Sequence, residues 1–479
     1  MSEILTPDIC VIGAGSGGLS VAAGASQMGS SVVLIERGRM GGDCLNYGCV
    51  PSKSLIAAAH VARVARTAAD FGVCAGSPAI DGAAVFKRVR KVIAAIAPMD
   101  SVERFEGMGV RVIKAPARFT GPDCVRAGDV DVRARRFVVA TGSSATVPPI
   151  PGLDQVPYLT NETVFDLDAI PEHLIVLGGG PIGIELAQAF RRLGAKVSVI
   201  EMAAILGRDD PELTEVIRRR LLHEGVVLHE NARAERIERA ASGLAVETSG
   251  AATGAEAKPG RIDGSHILVA VGRRPNVKDL GLDLAQVAVE PQGIVVDARL
   301  RTTNPRIFAI GDAAGGLQFT HLAGFHAGIV IRNILFRWPA RADRAVVPRV
   351  TYTDPELATV GLSEAEARAE RRDFRILRWA LHDNDRAQIE GATEGLIKVI
   401  ASRRGKILGA GIAGKHAGEL IQPWILALNQ GLGLGAMARA IAPYPTLGEI
   451  SKRAAGSFYT PTLFGERTKT IVRLLARLG

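Results

Sequence analysis

The sequence predicts an α/β fold: two Rossmann-like dinucleotide-binding domains followed by a C-terminal α+β domain. Two G-x-G-x-x-G turns, about 165 residues apart, each lie between a short apolar run and a helical segment, and each is followed by a second run ending in an acid. Past residue 346 short strands mix with helices and no third fingerprint occurs. The 479 residues exceed what one core accommodates, and 54 glycines with 47% apolar residues suit many tight strand-to-helix turns.

The first unit is "PDICVIGAGSGGLSVAAGASQMGSSVVLIERG" (7–38). Cys10 to Ile12 reads as a strand, Gly13, Gly15 and Gly18 as the turn, and Ser31 to Ile35 as a second strand ending at Glu36, 21 residues past Gly15. The glycines allow a sharp turn, close backbone approach to a pyrophosphate and tight helix–strand packing, and the acid accepts from a ribose. Free N–H groups and the dipole at the helix start favour phosphate.

Next comes "GGDCLNYGCVPSKSL" (41–55), with Cys44 and Cys49 five positions apart. A redox pair, a metal clip and an inert pair are the alternatives. Five residues of regular helix advance about 7.5 Å, whereas a disulfide wants Cα atoms roughly 4.4 to 6.8 Å apart. Bridging therefore needs a bend, which Gly48 permits, while Pro51 suits a first helical turn. A helix start lowers a thiol's pKa. Zinc normally takes more Cys or His ligands, and His60 has no second ligand near it, so no metal site is expected. Context favours the redox reading.

"RRFVVATGSSATVPPIPG" (135–152) is a strand, a turn with Thr141 and Gly142, and a Pro-rich boundary. "EHLIVLGGGPIGIELAQAFRRLGAKVSVIEM" (172–202) repeats the fingerprint with Gly178, Gly180, Gly183 and Glu201, Pro181 fitting the first helical turn. Two fingerprints imply two dinucleotides. Glu201 repels a 2′-phosphate and binds a 2′-hydroxyl, so NADH is expected over NADPH. "ILVAVGRRPN" (267–276) closes that unit at a turn with Gly272. "NPRIFAIGDAAGGLQFTHLAGFHAG" (304–328) is a strand ended by Gly311 and Asp312, then a helix. A carboxylate at the C-terminal end of a parallel strand lies where open sheets bind ligands. The expected boundaries are 1–150, 151–275, 276–345 and 346–479.

Composition narrows the class. The net charge of +9 comes from dispersed arginines without an RNA motif or finger spacing, so no nucleic acid is expected. The start lacks a secretory pattern, and no apolar run reaches a span. Five cysteines are no disulfide scaffold, and a cytoplasmic setting follows. Cys10, Cys74 and Cys124 stand alone and read as inert. The tail "RTKTIVRLLARLG" (467–479) is a cationic amphipathic helix, expected to pack on its own domain in preference to a membrane surface.

"GAGSGG", "GGDCLNYGCVPSK", "ATG", "GGGPIGIE", "VGRRPN" and "AIGDAAG" occur in that order, and on them the chain resembles the FAD-dependent pyridine nucleotide–disulfide oxidoreductases, which include dihydrolipoamide dehydrogenase, glutathione reductase and mercuric reductase. The resemblance covers essentially the whole chain. It implies FAD on the first unit, with Glu36 at its adenosine ribose, Asp312 at its ribityl chain, and Gly42, Thr141, Gly142 and His321 nearby. It implies NADH on the second, with Gly272 beside it. Cys49 would be the thiolate against the flavin and Cys44 the thiol that exchanges with substrate. Lys53 and Glu185 match the ion pair beside the flavin's reactive nitrogen. The C-terminal domain would make a homodimer, with residue 444 completing the partner's site.

The chain also departs from that pattern. Where most of these reductases carry His-Pro-Thr with a glutamate five residues on, it reads "YPTLGE": Tyr444 stands at the histidine position and Glu449 at the glutamate's. A phenol has an unperturbed pKa near 10, so disulfide exchange loses a neutral-pH acid–base. Mercuric reductase also carries a tyrosine there but ends in paired cysteines, whereas no cysteine follows Cys124 here. Asp43 replaces a threonine and is expected to disfavour the adjacent thiolate. Pro181 replaces a gating aromatic. The expected reaction passes electrons from NADH to FAD, to the Cys44–Cys49 disulfide, and on to a disulfide, a sulfur compound, a lipoylated protein or a thiophilic metal ion. The alternatives are a dihydrolipoyl dehydrogenase tolerating Tyr444, a mercuric-reductase-like metal reductase, and a redox-sensing flavoprotein without turnover.

Overall fold

Short runs of β-branched and aliphatic residues, buried on both faces, build the first sheet. In this computed structural model, which describes residues 3–241, 243–250, 260–343 and 346–478, five parallel strands lie in the order Ile307–Ala309, Arg136–Val139, Ile9–Ile12, Val32–Ile35, Val110–Ile113. Every residue of Ile9–Ile12 and Val32–Ile35 is buried, as a parallel sheet covered on both sides requires. Helices Ser16–Gln27 and Thr320–Leu335 pack together on one face. Phe119, Val125 and Val132, from a smaller sheet, close the other. The 304–328 segment thus returns to the first unit: Ile307–Ala309 pairs with Arg136–Val139, placing Asp312 beside Ser143 in the turn that follows that strand.

The second sheet has four parallel strands, Val227–His229, Lys196–Ile200, His173–Leu177 and His266–Val269. A three-stranded antiparallel sheet covers it, Arg233–Ala240, Gly243–Ser249 and Arg261–Gly264. Gly13 and Gly178, at φ 105° and 104°, turn identically in the two units. A Cβ at either would lie 2.4 Å from a carbonyl oxygen of the neighbouring strand's end, Ala140 and Ala270 respectively. Arg273–Pro275 pairs with Ser143–Ala145 and stitches the units together.

The C-terminal sheet is antiparallel, in the order Arg349–Thr351, Glu356–Gly361, Ile407–Gly414, Leu396–Ser402, Phe374–Ala380. Its core centres on the fully buried Trp424, whose indole N–H donates to Ser451 Oγ at 2.9 Å. Buried ion pairs dock this domain on the second unit. Lys398 meets Asp210, Glu212 and Glu364 at 2.8 to 2.9 Å, and Arg192 meets Glu224 at 2.6 Å and Asp354 at 2.8 Å.

The tail corrects an expectation. Glu466–Leu475 is a helix, but it does not pack on its own domain: every described residue from Lys469 to Leu478 is exposed. Packing would need a complementary apolar surface, and this chain folds none against it. Arg344, Ala345 and Gly479, within the expected 276–345 and 346–479 segments, lie outside the described residues.

Candidate active site

Cys44 lies on the short helix Gly42–Asn46, and Cys49 opens the helix Cys49–Thr67. The break at Tyr47 and Gly48 turns the chain sharply, so the two thiols share a hydrogen bond. A Cβ at Gly48 would come within 2.8 Å of Asp43 Oδ2. Both cysteines are free thiols, Cys44 half-buried and Cys49 exposed, with Cys49 Sγ 3.4 Å from Thr320 Oγ1 at the start of Thr320–Leu335.

Their acidities diverge. Cys49 is brought down to about 6, chiefly by the hydrogen bond from Cys44 acting against desolvation, with Thr320 and the Lys53 ammonium assisting. Cys44 is driven well above the thiol range by that shared bond and by burial. Near neutral pH the reduced pair therefore keeps one proton, on Cys44, and one thiolate, on Cys49. The carboxylate of Asp43 opposes the Cys49 thiolate only weakly, as the smallest of these causes. Its Oδ1 is engaged elsewhere, accepting from Asn161 Nδ2 and pairing with Arg273 Nη2, each at 3.0 Å.

Lys53 sits one helical turn beyond Cys49 and thus on the same face. Its Nζ is 2.7 Å from Glu185 Oε2, and the Glu185 side chain is only 6% exposed. The other carboxylate oxygen accepts from the Tyr352 N–H at 2.8 Å, and the Lys53 ammonium stands 4.5 Å from the Tyr352 ring centroid. One unit's cysteine helix is thereby tied to the other unit's fingerprint helix, Pro181–Arg192.

Both glycine turns form open cradles. A Cβ on Gly15 would meet only Gly42 Cα, at 4.0 Å, and one on Gly180 would meet nothing within 4 Å. Gly18 and Gly183 show the close packing expected, a Cβ there falling 1.9 and 2.0 Å from the Gly13 and Gly178 carbonyl oxygens. Glu36 accepts from the N–H groups of Ala14 and Gly38, both at 2.6 Å. Glu201 accepts from Gly179 at 2.7 Å and Ala203 at 2.9 Å. The two acids occupy matching posts at their strand ends. Asp312 Oδ2 accepts from Ser143 Oγ at 2.5 Å, and burial raises its carboxyl pKa. Arg273 donates to Ser143 Oγ at 2.8 Å, linking Asp312 to Asp43. Thr141 Oγ1 donates to the Asn276 carbonyl at 2.7 Å, and the Gly272 carbonyl accepts from Thr146 at 2.9 Å, closing the turns after Gly142 and before Arg273. His321 Nε2 is 3.0 Å from the Pro348 carbonyl, its ring stacked on Phe319. The open first cradle, with acids at both edges, fits FAD; the second fits a nicotinamide dinucleotide.

A cavity of about 410 Å³ opens beside Cys44, with Ser16, Ser20, Ile96, Asp100 and Arg104 among its walls. Tyr444 lies on another surface, 70% exposed, its phenol donating to Asp385 Oδ2 at 3.0 Å. That bond raises its pKa further. Glu449 heads the helix Glu449–Ser457, and the phenol bonds to Asp385 in its place. No group of three His, Cys, Asp or Glu placed to hold a metal occurs among the described residues.

Residues 7–327 match the pyridine nucleotide-disulphide oxidoreductase family, and 347–455 match that family's dimerisation domain. The chain belongs to this family. It is 36% identical over 459 residues to a mercuric reductase of Streptomyces lividans, covering 94% of this chain and 96% of that protein. It is 34% identical over 454 residues to a dihydrolipoyl dehydrogenase of Geobacillus stearothermophilus, covering 93% and 94%. Among solved structures, the HOCl-induced flavoprotein disulfide reductase RclA of Escherichia coli superposes with a TM-score of 0.84 at 28% identity, covering 94% and 99%. The protein is a flavoprotein disulfide oxidoreductase that uses FAD and carries a dimerisation domain.

Several functional contacts escaped the sequence reading. Arg273, Asn161, Thr320 and Asp385 carry no local motif of their own. Arg273 lay inside the motif "VGRRPN" and Thr320 inside the stretch 304–328, but neither was singled out there.

Proposed function

We propose that the protein is an NADH-dependent disulfide reductase in which Cys49 serves as the thiolate beside the flavin and Cys44 as the thiol that attacks the acceptor. The observation that carries this is the asymmetry of the pair: one low-pKa thiol against Lys53, and one protonated thiol lining a cavity. FAD, when bound, supplies two-electron transfer between reduced nicotinamide and the Cys44–Cys49 disulfide.

The chain's own residues do the rest. Glu201 selects a free 2′-hydroxyl on the nicotinamide dinucleotide. Lys53, held by Glu185, keeps a positive charge beside the thiolate. On reduction, Cys49 holds the negative charge and Cys44 keeps the proton. For the acceptor step, Cys44 loses that proton, forms a mixed disulfide with the acceptor and expels its second sulfur as a thiol. Cys49 thiolate then attacks Cys44, re-forming the disulfide and releasing the reduced product.

Acceptors of this geometry are a small disulfide, another sulfur compound, a lipoylated protein or a thiophilic metal ion, met in the cytoplasm by a homodimer. Tyr444 of one subunit would face the partner's cavity. A second reading, metal reduction, draws on Tyr444 and on the mercuric reductase relatives. Screening NADH oxidation against small disulfides, lipoylated protein and Hg(II) or Cu(II), in wild type and Tyr444→His, tests both. Disulfide turnover abolished by Cys44→Ser supports the first. Metal-dependent turnover alone, lost in Tyr444→Phe, would replace it with the second.

A further inference from the structure

The helix Glu466–Leu475 begins eleven residues after the dimerisation-domain match ends and touches little of its own chain. At 100° per residue, Ile471, Leu474 and Leu475 share one face, with Leu478 following in the turn after the helix and Val472 flanking it; Arg467 falls at the N-terminal end of that face, while Lys469 and Arg473 lie on the opposite side and Arg477 follows the helix. Ile471, Leu474, Leu475 and Leu478 are 56% to 78% exposed, and Phe464 just before the helix is 70% exposed. Glu466 is the one acid of the segment, and it pairs with Lys469 at 2.8 Å.

We infer that this helix lies flat on a bilayer rich in anionic lipid, its apolar face among the acyl-chain boundary and its arginines at the phosphates. Three alternatives fit less well. Ten residues span about 15 Å, half of a hydrocarbon core, so the helix does not cross. Its own domain leaves it bare. A second copy packed on the apolar face would bury that face alone, leaving Arg473 on the opposite side without a counter-charge. An anionic bilayer meets both demands, the acyl-chain boundary burying the apolar face and the headgroups neutralising Arg473 and Arg477. The inference is independent of the acceptor, because the helix lies outside the residues placed in the redox site.

The test is co-sedimentation of the FAD-loaded full chain with vesicles of phosphatidylcholine alone, or of phosphatidylcholine with phosphatidylglycerol, at low and high salt. Binding only to the anionic vesicles, with release at high salt, is expected. Arg473→Gln with Arg477→Gln should weaken it roughly thirtyfold. Leu475→Glu should abolish it, with the flavin spectrum, NADH oxidation and dimer mass unchanged. Wild type left in the supernatant with anionic vesicles would overturn the inference. So would unaltered vesicle binding by Leu475→Glu, which would place binding elsewhere on the basic surface. Light scattering that shows Leu475→Glu converting dimer to monomer would assign the face to a second copy.

Discussion

Removing the Cys44 sulfur should raise the pKa of Cys49, because the bond between them is the largest cause of its depression. A hydrogen bond to a charged acceptor is worth about 1.5 to 3 kcal/mol, which at about 1.4 kcal/mol per unit is roughly one to two units. Cys44→Ala should therefore move Cys49 from about 6 to roughly 7 to 8, with Lys53 and Thr320 still supporting the thiolate. At pH 7 the thiolate fraction then falls from about 90% to somewhere between about 50% and 10%. The sign follows from a lowered folded-state value: thiolate is fully present well above pH 6 and disappears as the pH falls through it. The assay is a pH titration of the long-wavelength thiolate-to-flavin absorbance, checked by mass-resolved alkylation of Cys49. Cys44→Ser, which keeps a hydroxyl donor, should fall between wild type and Cys44→Ala. A Cys44→Ala midpoint equal to that of the two-electron-reduced wild type would refute the reasoning.

Thr320→Val should raise the same midpoint by less than Cys44→Ala does, read in the same titration. Lys53→Met leaves the buried Glu185 without its cation, so it should lower Tm and slow anaerobic reduction by NADH roughly 10- to 100-fold in stopped flow, with Lys53→Arg recovering part of both. Glu201→Ala should lower the NADH-over-NADPH ratio of kcat/KM about tenfold or more, measured with each dinucleotide. Arg192→Met leaves Glu224 with only the more distant Arg63 and Arg220, and Asp354 with only His60, and should cost about 3 kcal/mol in urea unfolding. Asp354's carboxyl is held well below the usual range, against its own desolvation, by His60 and Arg192. The stability it contributes is present above the unfolded carboxyl pKa and is lost as pH falls below it, and Arg192→Met should flatten that acid limb.

The two dinucleotide units were legible because each needs glycine where a side chain would strike a carbonyl, and an acid at the next strand's end. Gly13 with Glu36 and Gly178 with Glu201 state both conditions within about 25 residues. The bend that brings Cys44 and Cys49 together was legible in their spacing and in Gly48, but which thiol faces which neighbour rested on likeness to a family. Contacts across hundreds of residues were not legible. Asp43 read alone is a carboxylate hostile to a thiolate. Folded, it is held by Arg273 and Asn161, and little of its charge reaches Cys49. Thr320 approaches Cys49 from 271 positions away, and Asp385 reaches Tyr444 across 59. The tail's amphipathic period was plain, yet periodicity says only that a face wants cover, never what covers it.

Electron storage on the sulfur pair is tested most directly by anaerobic titration with NADH, following the visible spectrum and counting alkylatable thiols in parallel. The first equivalent should open the Cys44–Cys49 disulfide, raising a long-wavelength band and freeing two thiols per chain. Flavin bleaching at that equivalent, with no new band and no newly accessible thiols, would contradict it.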